Sequence, residues 1–240
     1  MHQVTLPTEL LDQLAERRGR LRVFDRIDPR STALLVIDMQ NTFVHPDGFA
    51  YVETAAGIVP NINRLADALR EAGGTVIWVR VSLAESGRGA WEMYFQNFSP
   101  PGTAEERRRS LCSGHEGHAF WHALDIRAED LIVDKDRFSA FIQDASDLEQ
   151  RLRDRYLDTL LITGTLTNCC CESTARDAMM RDFRTLMISD GNAARTDEDH
   201  IAGLRTFVQV FGDVVDTDEA IDLIKAPSGG SSQSAGLGQR

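Results

Sequence analysis

Apolar residues fall along this chain in short unbroken runs, with helical periodicities between them. Ala33–Leu34–Leu35–Val36–Ile37 is one such run, and it stops at Asp38. A strand buried on both faces reads this way, and parallel sheets supply such strands. Further runs cover Thr75–Val79, Leu131–Val133, Thr159–Ile162 and Thr185–Ile188, with a short last one at Val214–Val215. Ile58 to Ala72 carries Ile58, Ile62, Leu65, Ala66 and Leu69 at helical spacing and meets a stop signal at Gly73–Gly74. Helices are also predicted over Asp147–Tyr156, Cys170–Asp182 and Asp197–Val210. Alternating strand and helix implies a parallel sheet with right-handed crossovers. The expected fold is therefore α/β: a three-layer Rossmann-like domain, with helices on both faces of a parallel sheet of about six strands.

That pattern occupies residues 31–225. Residues 1–30 are polar except for Leu10, Leu11 and Leu14, and read as an N-terminal arm or short helix. Residues 82–123 break the rhythm with Pro100–Pro101, several glycines and two of the three tryptophans. A stretch of that length inside a compact domain is usually a lid, a pocket wall or an oligomer contact. Residues 226–240 are Gly/Ser-rich and read as a disordered tail.

Composition narrows the function. The chain has 240 residues and a formal net charge of −11, which argues against nucleic acid, whose phosphates need a basic face. No apolar run approaches the roughly 18 residues of a membrane span, and the first residues lack the apolar core of a secretion signal. The four cysteines include the consecutive Cys169, Cys170 and Cys171, which bridge one another poorly. They suggest a reducing compartment, and a cytoplasmic location is expected.

Ligands of open α/β sheets bind beyond the carboxyl ends of the strands. Asp38 closes the first strand there. Lys135 lies just past the third, and the cysteines follow the fourth after a turn at Gly164. A carboxylate, an ammonium and a thiol at neighbouring strand ends suit covalent hydrolysis of a carbonyl compound. A helix start and a lysine favour the thiolate, a carboxylate shuttles its proton, and backbone N–H groups hold an oxyanion. Each residue alone has a plainer reading as a cap, a solvated lysine or a small core residue; their co-location favours one site.

Three stretches resemble the isochorismatase-like cysteine hydrolases: Leu35 to Asn41, Val133 to Phe141, and Gly164 to Ala178, which includes Thr167–Asn168–Cys169–Cys170–Cys171–Glu172–Ser173–Thr174. The resemblance spans roughly residues 30–225 and implies a triad of Asp38, Lys135 and Cys170, the middle cysteine being set by the register of Thr167 and Glu172. It also implies a non-proline cis peptide at Thr165–Leu166 and an oxyanion hole of the Leu166 and Cys170 N–H groups. Cys169 and Cys171 are expected to face elsewhere and pack.

Gln40, Phe43, Phe138 and Asn168 are candidate substrate contacts, being close in sequence to the three groups. His115, His118 and His122 cluster, but Gly114 and Gly117 break a helix there, so no metal and no cofactor is expected. The motifs are nearest to the N-carbamoylsarcosine and ureidoacrylate amidohydrolase branch. They imply cleavage of a C–N bond in a small-molecule amide or ureide through a thioester, in a homodimer or homotetramer. Two alternatives stand beside this: a redox-sensing or non-catalytic protein on the same scaffold, and a hydrolase of another amide-like compound such as a nicotinamide or hydrazide.

Overall fold

The computed structural model describes residue 2 and residues 5–226. The expected tail therefore lies outside the described residues from 227 onward. In chain order the elements are α1 (Thr8–Arg18), β1 (Thr32–Ile37), the single turn α2 (Asn41–Val44), α3 (Val59–Glu71) and β2 (Thr75–Val81). There follow α4 (Glu92–Phe98), α5 (Ala104–Arg109), β3 (Leu131–Lys135), α6 (Leu148–Asp154) and β4 (Thr159–Thr165). The chain continues through α7 (Glu172–Met180), β5 (Arg184–Ala193), α8 (Asp197–Val210), β6 (Asp213–Val215) and α9 (Thr217–Lys225).

The six strands form one sheet in the order β3-β2-β1-β4-β5-β6, and every pair is parallel. The unbroken apolar runs have a simple cause. Leu34, Val36, Val76, Trp78, Leu161 and Leu186 enter one buried layer with α3 and α9. Ala33, Leu35, Ile37, Ile77, Val79, Leu160 and Ile162 enter the other with α6, α7 and α8. Successive side chains of a strand point to opposite faces, so a strand covered on both needs apolar residues at every position. Among the described residues no helix is long and apolar enough to cross a membrane.

The strand order turns between β1 and β4, which places the crevice of a doubly wound sheet at their carboxyl ends. These two strands approach closely where Ile37 faces Gly164. Gly164 has φ 114°, and a Cβ there would stand 2.0 Å from the Ile37 carbonyl oxygen. Only glycine fits.

Three local features depart from the sequence pattern. The cysteines lie on a π-helical turn, Thr167–Cys171, and the α-helix starts only at Glu172. β5 runs on to Ala193 past a register shift beside Ile162 and Gly164. Its polar end is paid for by Asn192, whose amide donates to the Ile162 and Ile188 carbonyls. Residues 82–123 hold α4 and α5, and the first of these exposes Met93 and Phe98.

Gly164→Ala is expected to destabilise the protein by more than about 3 kcal/mol, since it combines a positive φ with a backbone clash. Chemical denaturation read by circular dichroism measures this directly; a midpoint equal to that of the parent would show that β1 and β4 do not depend on the close approach.

Candidate active site

Asp38 is the residue after β1. Its N–H donates to the Val79 carbonyl at 2.8 Å, and its φ of 55° turns the side chain out of the strand register. Aspartate tolerates this left-handed conformation better than most residues. Lys135 ends β3, two strands away across β2. Its Nζ donates to Asp38 Oδ2 at 2.7 Å and to the Arg137 carbonyl at 3.0 Å. Both side chains are 0% exposed. The other carboxylate oxygen, Asp38 Oδ1, is buried with no hydrogen-bond partner.

Cys170 reaches the same place from β4. The Thr165–Leu166 peptide is cis. The Leu166 carbonyl then accepts from the Cys169 N–H at 3.1 Å and the Cys171 N–H at 3.2 Å, which winds the π turn. The Cys170 thiol lies close enough to the Asp38 carboxyl to lower its pKa through a hydrogen bond.

Burial dominates the electrostatics. It pushes Asp38 above the usual carboxylate range, against the opposing pull of Lys135 and of the Cys170 thiol. It pulls Lys135 down, but Asp38, Cys170 and Cys169 together outweigh it, so the ammonium is retained. The Cys169 thiol and burial push Cys170 well up, while Lys135 pulls it the other way. The Cys169 thiol is shifted the opposite way, down, by its hydrogen bond to Cys170.

Cys170 forms part of the wall of a cavity of about 110 Å³. Phe43, Trp91, Tyr94, Phe138 and Leu166 line it, with Arg107 and Arg195. Phe138 meets the rings of Trp91 and Tyr94 edge-on at 4.7 and 5.2 Å between centroids. Arg137 lies over the Trp91 ring at 5.1 Å.

The structure thus brings Asp38, Lys135 and Cys170 together, with Phe43, Phe138 and Leu166 around them. Gln40 and Asn168 are placed elsewhere. The Gln40 amide donates to the Val81 and His118 carbonyls, each at 2.9 Å, and its oxygen accepts from the Val81 N–H at 2.8 Å. It is a strut between β2 and the segment before β3, with no group left for a ligand. Asn168 is exposed, packs against Gly203 of α8 and is absent from the cavity lining. Cys171 packs as expected, its thiol directed to the Thr163 carbonyl at 3.8 Å. Cys169 departs from expectation and lines the cavity, because the turn that carries it is not α-helical.

Arg107 and Arg195 were not visible as site residues in the sequence. Arg107 sits in the charged run of α5, which reads as a solvated helix, and Arg195 follows a strand end that periodicity places too early. His118 is buried with Nε2 unpartnered. Among the described residues no group of three or more His, Cys, Asp and Glu side chains is placed to hold a metal ion.

The family described as the isochorismatase domain matches residues 32–219. The chain is 28% identical over 215 residues to the ureidoacrylate amidohydrolase RutB of Methylobacterium radiotolerans, covering 84% of this chain and 83% of that protein. It is 34% identical over 177 residues to a probable inactive nicotinamidase of Arabidopsis thaliana, covering 73% of this chain and 87% of that one. A crystal structure of a cysteine hydrolase from Pseudomonas syringae pv. phaseolicola 1448A superposes with a TM-score of 0.73 at 33% identity, covering 82% of this chain and 94% of that one. The chain belongs to the isochorismatase family of hydrolases.

If ionised Asp38 is the proton acceptor, kcat/KM falls on the acid side with an apparent pKa above 3.8, the side-chain value that burial raises. Lys135 opposes that rise, so Lys135→Met is expected to move the acid limb to higher pH. An unmoved limb in this variant, on a folded protein, would separate the limb from Asp38.

Proposed function

We propose that this member of the isochorismatase family hydrolyses a carbon–nitrogen bond of a small amide or ureido compound through a thioester on Cys170. The observation that carries the reading is the convergence of the Asp38 carboxyl, the Lys135 ammonium and the Cys170 thiol at the wall of one aromatic cavity.

In this reading the Asp38 carboxylate, hydrogen-bonded by the Cys170 thiol, takes the proton from Cys170 Sγ. The sulfur attacks the substrate carbonyl carbon. The N–H groups of Leu166 and Cys170 hold the oxyanion, an interaction worth about 3 kcal/mol per donor in comparable sites. Asp38 then protonates the nitrogen as the C–N bond breaks, which leaves a thioester and releases ammonia or an amine. A water molecule next gives its proton to Asp38 and its oxygen to the thioester carbon, and the departing sulfur regains a proton. Lys135 keeps its charge throughout, orients Asp38 and favours the thiolate.

The cavity lining supports a finer reading of the substrate. Aromatic walls suit a flat acyl group. The Arg107 and Arg195 side chains donate to the Phe49 carbonyl at 2.8 Å and the Tyr51 carbonyl at 3.3 Å, and neither has a carboxylate partner among the described residues. In a chain of net charge −11, two arginines in the lining of one cavity favour a substrate that carries a carboxylate of its own. The ureidoacrylate amidohydrolase relative is named for a compound of that description.

The test is ammonia release from paired compounds, N-carbamoyl and amide carboxylates against their methyl esters, with mass spectrometry of the quenched enzyme. The carboxylates are expected to be turned over, with a Cys170 acyl adduct trapped. Cys170→Ala is expected to remove turnover in a folded protein, and Arg195→Met to raise KM by about tenfold, the size of one charge-assisted hydrogen bond. Full turnover by Cys170→Ala would overturn the mechanism, and Cys170 that alkylates while no compound is hydrolysed would favour the sensor.

A further inference from the structure

Two imidazoles outside the reacting groups meet behind the cysteine turn. His200 projects from α8 and is 1% exposed. Its Nδ1 lies 2.8 Å from Oγ1 of Thr167, the buried first residue of the π turn. The ring of His2 stacks on it, 4.1 Å between centroids and 15° between planes. His2 Nδ1 lies 2.6 Å from Asp197 Oδ1, and the Ala194 N–H donates to His2 Nε2 at 2.9 Å.

These contacts set the proton position on the neutral His2 ring. His2 Nε2 accepts from a backbone N–H, so in the neutral ring the proton sits on Nδ1 and is donated to Asp197. His200 is pushed down to about 4, by burial first and by His2 next, and so is neutral in ordinary buffer. Its Nδ1 and the Thr167 hydroxyl share one hydrogen bond, whichever of the two carries the proton. One turn further along α8, Gly203 lets the helix close on the same segment: a Cβ there would stand 3.1 Å from the Asn168 Cα.

A buried imidazole and hydroxyl are costly unless each satisfies the other, and an apolar pair would fill the same volume without that demand. A hydrogen bond gives what an apolar contact does not, a defined direction for the first residue of the turn. We propose that His200 is a positioning residue for the Cys170 thiol, acting through Thr167, and that His2 locks its ring. This rests on the reading of Cys170 as the nucleophile.

The experiment measures the rate of Cys170 alkylation by iodoacetamide alongside kcat and KM, so that one readout needs no substrate. Thr167→Val, which keeps the shape and removes the hydroxyl, is expected to slow alkylation and lower kcat by about tenfold with KM unchanged. His200→Phe, which keeps a ring and removes its nitrogens, is expected to do the same. The double variant is expected to be no slower than either single one, because both remove one bond. His2→Ala is expected to produce a smaller loss in the same direction, and Thr167→Ser to recover the parental rate. Additive losses in the double variant, or single variants within twofold of the parent, would overturn the proposal. If His200→Phe does not fold, Thr167→Val against Thr167→Ser decides. Parental Cys170 that alkylates without hydrolysing any amide would remove the proposed function instead, while the alkylation rates still judge the brace.

Discussion

The buried ion pair of Lys135 and Asp38 is the constraint around which the site is arranged. Taking a carboxylate and an ammonium out of water costs several kcal/mol per ion, and their attraction offsets this only when the geometry is good. Here the 2.7 Å contact is backed by the Arg137 carbonyl on the lysine side, and the Cys170 thiol bonds the carboxyl in turn, so thiol and ammonium both oppose the upward push of burial on Asp38.

The sheet makes the arrangement possible. β1 and β3 are not neighbours, so Lys135 must extend past the end of β2 to meet Asp38. Gln40 holds that gap through three hydrogen bonds to backbone groups. On the other side Gly164 lets β4 approach β1, and the turn after it delivers Cys170. Asp38, Lys135 and Cys170 therefore stand at strand ends or on the turns that follow them. The cavity wall is shared: Trp91, Tyr94 and Arg107 come from residues 82–123, Phe43, Phe138 and Leu166 from the segments that follow β1, β3 and β4, and Arg195 from the β5–α8 junction.

Much of this was legible in the sequence, for physical reasons. Two-faced burial writes continuous apolar runs, so the strands and hence their ends were visible, and Asp38, Lys135 and Cys170 stood at those ends. Gln40 was misjudged because its position next to Asp38 says nothing of where an amide points, and its partners are backbone groups distant in sequence. Arg195 was hidden because Ser189 to Asn192 looks like a loop, and only the buried Asn192 amide, bonded to two carbonyls, shows how a strand continues through it. The π turn leaves no periodic trace in five residues, so Cys169 could not be placed. The cavity wall was the least legible part, since α4 and α5 are too short to show an amphipathic repeat.

The division of labour between strand ends and the intervening segment has a consequence for redesign. Asp38, Lys135 and Cys170 stand at the ends of the sheet scaffold, whereas Trp91, Tyr94 and Arg107 are carried by a stretch that joins the sheet between β2 and β3 and is held to it where Gln40 meets His118 and Phe120. Exchanging that stretch would reshape one side of the cavity while Asp38, Lys135 and Cys170 keep their places at the sheet's edge.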